Sequence, residues 1–552
     1  MDNKKLILFI ICAVVILLGW EKFFPNKEMA ISTVNNIASD SNGTLLPTNS
    51  NNFNTEANNN IKSKNIIVTT DLVKATINNI GGDLKELELL KYKDFKKQDT
   101  NYYALQNDAN KILTTQTGLV SNDDNINSIL PNHKSEFQTE SNFYYLAPNQ
   151  NSITVKLHYS NSEIGVDKLI TFYKNSYLIK IQYQIISYKQ NLSNVVAYWR
   201  LVRDQKSNST DSKFVHTFNG AIAYNDQSKS HKIKIDTIVK ANNSQIDDIP
   251  NNTNNGWAGF VEHYFSSIWL LNTKDQPSVC TNSVQCSFAF NYLSNHFVTS
   301  GFNTQIPTII VHKPYQIGLN LFVGPDQYQI FKKIAPSLER TKDYGIFYIF
   351  ATPLFWLLIH IFSIVQNWGW SIILLTLTVK LILYPLTATS FRSMAKLRSL
   401  TPKLKQLKDQ YHDDKVTMQK EIMQLYRKEK VNPVGGCLPM ILQIPVFIGL
   451  YWALLCSVEL RQASFLWIQD LSKPDPLFIL PVLMGASMFI QTFFNPPASD
   501  PVQAKLMKIM PLMFSVMFFF FPSGLVLYWI ANNTLSILQQ WYINKSIKKN
   551  RC

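Results

Sequence analysis

Cysteine is scarce in this chain. Six cysteines in 552 residues are too few for a disulfide scaffold. Cys12, Cys437 and Cys456 stand in apolar segments without metal-ligand spacing, so they read as packing residues and no metal site is expected. Catalytic signatures are missing as well. Residues 64–324 carry no clear nucleophile, metal or paired-carboxylate motif, and His158, His216, His231 and His263 are isolated from one another. This argues against an exported enzyme and gives no reason to expect a cofactor. Internal repeats with corresponding broken helices, the mark of many solute transporters, are absent too. The formal charge of +15 does not come with stacking aromatics interleaved along one face, as a nucleic-acid site requires, so no DNA partner is expected. The basic residues lie beside hydrophobic segments, a placement that fits membrane orientation and contact with anionic lipids or ribosomal RNA.

What is present divides the chain near Thr341. Before it the sequence is rich in Asn, Ser and Thr; after it long apolar runs alternate with basic clusters. Lys4 and Lys5 precede the apolar run 6–20. No small-x-small cleavage site follows closely, and Ile11 before Cys12 does not suit a lipoprotein site, so residues 1–24 read as an uncleaved anchor with its lysines in the cytoplasm. Residues 25–62 are too polar to offset ordering entropy and read as a tether. Beyond it, Ile153, Val155, Leu157 and Tyr159, and again Ile179, Ile181, Tyr183 and Ile185, alternate with polar residues at the strand period of two. Gly81-Gly82-Asp83 and Asn175-Ser176 mark turns, and no amphipathic helix is expected before about Asp326. The unit 63–335 therefore reads as an antiparallel β-sandwich. Cys280 and Cys286 flank a stretch suited to a turn between strands. A disulfide there and two packed thiols are both compatible with the spacing, the former only in an oxidising compartment.

The remainder contains apolar runs near 345–365, 369–386, 437–456, 477–494, 509–521 and 525–537. A helix of about 20 apolar residues crosses about 30 Å of hydrocarbon, and the fifth run is short. The segment 392–432 is strongly basic and belongs in the cytoplasm. If the anchor exports the β-unit, a single crossing separates that unit from the basic segment. We therefore expect 343–366 to lie flat at the interface, with Thr352, Trp356, His360, Ser363 and Asn367 along one side and Pro353 weakening its first turns. The spans are then 367–391, 437–456, 477–494, 507–522 and 524–543, followed by a basic cytoplasmic tail, 544–552. The basic segment reads as a helical hairpin, since Leu397, Leu400, Leu404, Leu407 and Tyr411, then Met418, Ile422 and Leu425, keep three-four spacing. His412-Asp413-Asp414 makes its turn, the aspartates favouring the second helix N-terminus.

Lys380 stands near the middle of the run 369–386. A lysine there costs about 2.5 to 3.5 kcal/mol on insertion scales, and a run ending near 386 leaves its stem about 9 to 12 Å from the cytoplasmic end, beyond comfortable snorkelling. Thr376 and Tyr384 share its face by four-residue spacing, so that face should border a wet cavity. Gln443, Ser487, Gln491, Asn532, Asn533, Thr534 and Ser536 supply polarity from other runs. Singly, each suits a helix-packing hydrogen bond; together with Lys380 they suggest a hydrated, positively charged groove.

Asn367-Trp368-Gly369, Tyr384-Pro385-Leu386, Ser393-Met394-Ala395-Lys396, Lys430-Val431-Asn432-Pro433 with Gly435-Gly436-Cys437, Gln443-Ile444-Pro445, Ser457-Val458-Glu459-Leu460-Arg461 and Phe521-Pro522-Ser523-Gly524-Leu525 closely resemble the bacterial YidC insertase family, as does Leu321-Phe322-Val323-Gly324-Pro325 more weakly. The resemblance implies an anchor helix, a periplasmic β-supersandwich and a five-helix core in the inner membrane, with both termini cytoplasmic. It implies an insertase and chaperone, not an enzyme, whose clients are nascent membrane proteins. These would arrive from the ribosome or through the signal recognition particle pathway, and insert alone or with the Sec translocon. Thr376, Lys380, Phe447 and Trp529 are implied to line the groove, Tyr528 to face substrate, and Asp413 to sit in a sensitive cytoplasmic hairpin. The chain departs from the usual pattern at Lys380, where arginine is common, and at Trp529, where tyrosine is. Lysine lacks the planar fork of arginine, so bidentate pairing with a carboxylate is put in doubt while a mechanism needing charge and water survives.

The charge pattern makes a topological prediction. Single cysteines placed in 392–432 and in the tail should label only from the cytoplasmic side, and cysteines in the β-unit only from the opposite side. Labelling of the hairpin and the β-unit from one side would overturn this.

Overall fold

The structure, a computed structural model, describes residues 63–94, 99–109, 111–205, 218–242, 246, 249–293, 296–342, 348–411, 414–429, 438–493 and 501–549. The expected anchor and tether, together with Cys12, Asp413 and Cys437, lie outside the described residues. These residues fall into two compact units, one β-rich and one helical.

The β-unit runs through β1 (Asn65–Thr69), β2 (Val73–Asn78), β3 (Leu84–Lys93), β4 (Asn101–Asn107), β5 (Ile112–Ser121), β6 (Gln138–Thr139), β7 (Phe143–Tyr145), β8 (Ser152–Ser160) and β9 (Ile164–Tyr173). It continues through β10 (Leu178–Ser187), β11 (Val195–Asp204), β12 (Gly220–Asn225), β13 (Lys229–Ile233), β14 (Trp257–Glu262), β15 (Phe265–Leu270), β16 (Gln285–Leu293), β17 (Phe297–Gln305) and β18 (Tyr315–Pro325). Among the described residues these form two nine-stranded sheets, ordered β16-β17-β11-β5-β4-β3-β2-β1-β7 and β13-β12-β14-β15-β18-β10-β9-β8-β6. Period-two burial explains why they face each other. On β10, Ile179, Ile181, Tyr183 and Ile185 are buried while the residues between them are only partly so. Tyr183 reaches Trp199 on the other sheet at 5.5 Å between ring centroids, and Trp199 lies 5.8 Å from Trp269. Two short helices interrupt the strands, α1 (Asp124–Ile129) and α2 (Ile235–Ala241), and α3 (Tyr328–Ile334) follows them. The first two were not expected, because segments of six and seven residues are too short to display a helical period.

Charges are buried inside this unit. Lys168 Nζ lies 3.1 Å from Asp83 Oδ1 and donates to Gly81 O at 2.7 Å, while Asp83 also accepts from the Thr117 backbone N–H at 3.0 Å. The Gly81-Gly82 turn delivers Asp83 to this position with φ of 75° and 62°. A Cβ on Gly81 would fall 2.5 Å from His133 O. Removing one partner of such a pair leaves an uncompensated charge, at about 3 to 5 kcal/mol. Cys280 and Cys286 are joined in a disulfide with Cα atoms 5.7 Å apart, closing a turn in which Thr281 and Val284 exchange backbone hydrogen bonds.

The helical unit contains α4 (Tyr348–Val365), α5 (Trp368–Ile382), α6 (Tyr384–Ser399), α7 (Thr401–Gln410), α8 (Lys415–Lys428), α9 (Leu438–Leu455), α10 (Ile479–Thr492), α11 (Pro501–Phe518) and α12 (Ser523–Lys549). Among the described residues α4 is the one continuous helix long and apolar enough to cross a membrane by length and composition. Its Ala351, Phe355, Leu358 and Ile359 are buried, while Thr352, Trp356, His360 and Ser363 form the exposed side that the sequence spacing predicts.

The span expected at 367–391 is broken. α5 ends at Ile382 and α6 departs at 71°, because Pro385 has no N–H to continue the ladder and its ring would crowd the carbonyl four residues back. The hairpin arm expected from 392 therefore begins at Tyr384. α11 starts six residues before the expected 507, and α12 runs through the expected tail to Lys549, since lysine is a good helix former and favours the carbonyl end of a helix. Asp414 caps α8 by accepting from the N–H groups of Val416 and Thr417, both at 3.1 Å, and Lys403 spans the hairpin to Glu429 at 2.8 Å.

His133 supplies a test of the β-unit. Burial first, then the charge of Arg200, hold its pKa down to about 3, and its Nδ1 lies 2.8 Å from Tyr198 OH. The unfolded chain binds a proton near pH 6.5, whereas the folded one resists it down to about 3. This contribution is therefore complete above about pH 6.5 and is lost as pH falls, at up to about 1.4 kcal/mol per pH unit. Denaturant unfolding measured between pH 7 and 4 should show a shallower acid dependence in His133→Gln.

Candidate functional site

α12 organises the polar groups of the helical unit. Tyr528, Asn532, Ser536 and Gln540 follow one another at four-residue intervals, so they form a single stripe about 18 Å long, and all four are buried. Neighbouring helices reach this stripe from two directions. Gln443 Nε2 on α9 donates to Tyr528 OH at 2.7 Å, and Lys380 Nζ on α5 donates to Ser536 Oγ at 2.8 Å. The Ser536 hydroxyl in turn donates to the backbone carbonyl O of Asn532 at 2.7 Å. Between these two contacts Asn532 Oδ1 is buried without a hydrogen-bond partner, and Gln540 Oε1 is in the same condition further along. Apolar surroundings make an unused acceptor costly, so the stripe favours a donor supplied from elsewhere.

An aromatic wall stands beside the stripe. Phe447 lies one turn beyond Gln443 on α9, with its ring 4.7 Å from Trp529 and 6.4 Å from Tyr528. Trp529 also meets Phe518 at 6.0 Å. The start of α12 is fixed by backbone contacts: Ser523 N–H donates to Lys473 O at 2.8 Å and Gly524 N–H to Leu471 O at 2.9 Å.

The candidate residues separate accordingly. Lys380, Gln443, Phe447, Asn532, Tyr528 and Trp529 are brought together along α12 and its neighbours. Thr376 is on α5 but 1% exposed, and its hydroxyl is used within its own helix on Ile372 O at 2.7 Å. Tyr384 does not share the Lys380 face, because the helix ends between them and Tyr384 begins α6, 39% exposed. Lys380 itself occupies the last turn of α5, not the middle of a span, where exposed carbonyls favour a cation. Asn533 points elsewhere, donating to Ser487 on α10 at 3.1 Å, an ordinary helix-packing bond. Gln539 and Thr387 were missed; they bond at 2.8 Å and tie α12 to α6. The four-residue repeat 528-532-536-540 was the available signal for the stripe. Asp414 sits at the hairpin turn, and the described residues hold no cluster of metal-binding side chains.

Apolar helices packed around a buried polar stripe, preceded by a β-sandwich, define a membrane protein with a large extramembrane domain. Residues 65–357 match the family described as the YidC periplasmic domain, and residues 360–550 match the 60Kd inner membrane protein family. The membrane protein insertase YidC of Laribacter hongkongensis is 44% identical over 552 residues, covering 100% of this chain and 98% of that one. Its counterpart in Neisseria meningitidis serogroup C is 40% identical over 561 residues, covering 100% and 99%. A crystal structure of an active YidC insertase with its first transmembrane domain resolved aligns over 87% of this chain and 92% of that chain, at 19% identity and a TM-score of 0.40. The chain belongs to the YidC family of membrane protein insertases.

The Gln443–Tyr528 bond is open to a double-mutant cycle. Gln443→Leu and Tyr528→Phe should each lower unfolding stability in micelles, with a coupling energy of about 0.6 kcal/mol and at most about 1.7. A coupling indistinguishable from zero would remove this contact from the account.

Proposed function

We propose that this protein inserts newly made membrane proteins into the bacterial inner membrane and assists their folding, using the α12 stripe as a hydrated, positively charged groove open to cytoplasm and lipid. The carrying observation is the chain of hydrogen bonds from Lys380 to Ser536 to the backbone carbonyl of Asn532, bordered by Gln443, Tyr528 and the Phe447–Trp529 wall. In this reading polar or acidic parts of a client rest on the stripe while its apolar part meets lipid. Thr376 supports the packing of α5, and Tyr384 stands where the groove opens.

The topology follows the charges: termini and hairpin 392–432 in the cytoplasm, the β-unit in the periplasm, 343–366 flat at the interface, and five spans in the core. The basic hairpin, with Asp413 and Asp414 at its turn, faces the ribosome, the signal recognition particle pathway and anionic headgroups. The protein works alone or beside the Sec translocon.

Substitutions at Lys380 test the groove. At an effective dielectric near 20, unit charges about 4 Å apart interact by about 4 kcal/mol, which is large beside the polar contacts around this residue. Lys380→Arg should retain insertion, whereas Lys380→Leu and Lys380→Glu should reduce insertion of clients with charged exported tails by about tenfold or more. If Leu serves as well as Lys at matched protein level, the electrostatic groove is wrong.

A further inference from the structure

Two polar contacts stand on either side of the break between α5 and α6, and both end on α12. Before the break Lys380 Nζ donates to Ser536 Oγ at 2.8 Å; after it Gln539 Nε2 donates to Thr387 Oγ1 at 2.8 Å. Ser536 and Gln539 are three residues apart in one continuous helix, about 4.5 Å of rise and on the same side. Pro385 makes the bend of 71°, and the ladder bond it removes leaves the joint less able to resist swinging. α12 crosses that joint as a splint.

The second contact is built into the joint itself. While the Thr387 hydroxyl accepts from Gln539, its own proton is offered to the carbonyls of Leu383 and Tyr384, at 3.0 and 3.1 Å, the residues at the break. Thr387 is buried, and beside it Ala388 and Phe391 pack on Ile543, one turn beyond Gln539 on α12. Apolar packing resists separation but has no direction. A hydrogen bond has a length and an angle to satisfy, so this one fixes the rotation of α6 and its position along α12. Where α6 points, the hairpin follows. Leu400 alone separates α6 from α7, its backbone is helical, and hydrogen bonds run through it, from Leu400 N–H to Lys396 O at 3.3 Å and from Leu404 N–H to Leu400 O at 2.9 Å.

We propose that Thr387 and Gln539 are positioning residues for insertion, holding the basic hairpin at a fixed angle to the α12 stripe, a role that rests on reading the stripe as the client groove. A client held by the hairpin is concentrated at the groove only as far as the geometry of the arm allows, and a swinging arm dilutes it. Spin labels on Gln406→Cys in the hairpin and Ile490→Cys on α10, both exposed positions, report the angle by pulsed dipolar distance measurement. The full-length chain is measured in nanodiscs, with Cys12, Cys437, Cys456 and Cys552 replaced by serine. Thr387→Val, which keeps the shape and removes the hydroxyl, and Gln539→Leu should each broaden or shift the distance distribution and slow client insertion about threefold or more. The thermal transition should fall by no more than about 4 °C. Thr387→Ser, which keeps the hydroxyl, should match the wild type in distances and insertion. Unchanged distances in both Thr387→Val and Gln539→Leu overturn the proposal, as do altered distances with wild-type insertion, or Thr387→Ser behaving as Thr387→Val. Failure of the groove reading is distinct, since it shows as wild-type insertion of charged-tail clients by Lys380→Leu, whereas the distances are read without any client.

Discussion

The break between Ile382 and Tyr384 decides where the charge of the helical unit goes. A proline ring cannot be carried inside an α-helix without losing a hydrogen bond and crowding a carbonyl, so α5 stops after 15 residues, about 22 Å. Lys380 is thereby placed in a final turn whose carbonyls favour a cation, within reach of Ser536. Had the helix continued straight, Lys380 would have been a mid-helix charge with six further residues between it and water. The bend also starts α6 close enough to α12 for Gln539 to meet Thr387. One local steric rule thus sets the end of a helix, the partner of its lysine and the angle at which the basic hairpin leaves.

The β-unit solves a different problem. Its sheets are broad enough to bury whole charges, and Lys168 with Asp83 sits between them, held by hydrogen bonds to Gly81 O and from the Thr117 N–H. A second network near the sheet margin joins Lys111 to Glu262 at 2.6 Å, with Tyr102 also donating to Glu262 at 3.1 Å. Such networks tolerate few partial versions, because each member removed leaves another desolvated and unpaired. They fix which faces of the strands meet, beyond what apolar alternation alone requires.

Much of this was legible in the chain. Alternation along 153–159 and 179–185 has one physical cause, a strand with one face in a core, and it is visible without neighbours. The polar stripe was only half legible. Asn532 and Ser536 stand out as amide and hydroxyl in an apolar run, but which of the adjacent polar residues face together depends on helix phase, and Asn533 turns to Ser487 instead. Tyr384 was misplaced because four-residue spacing from Lys380 assumes an unbroken helix, and the proline beside it was read as a family motif and not as a stop. The unpartnered state of Asn532 Oδ1 belongs to tertiary packing and leaves no trace in composition or period.

The length of α12 has a mechanical meaning. Twenty-seven residues make about 40 Å of uninterrupted helix, against a hydrocarbon layer of about 30 Å. In the proposed arrangement, with α12 as a span, a shaft longer than the layer leans or projects, and the end bearing Lys545 meets the headgroups. The segment that carries Tyr528, Asn532 and Ser536 is one continuous helix with the segment that bears Lys545, with no break between them. In that arrangement a tilt of the Lys545 end also turns the stripe, because one helix carries both.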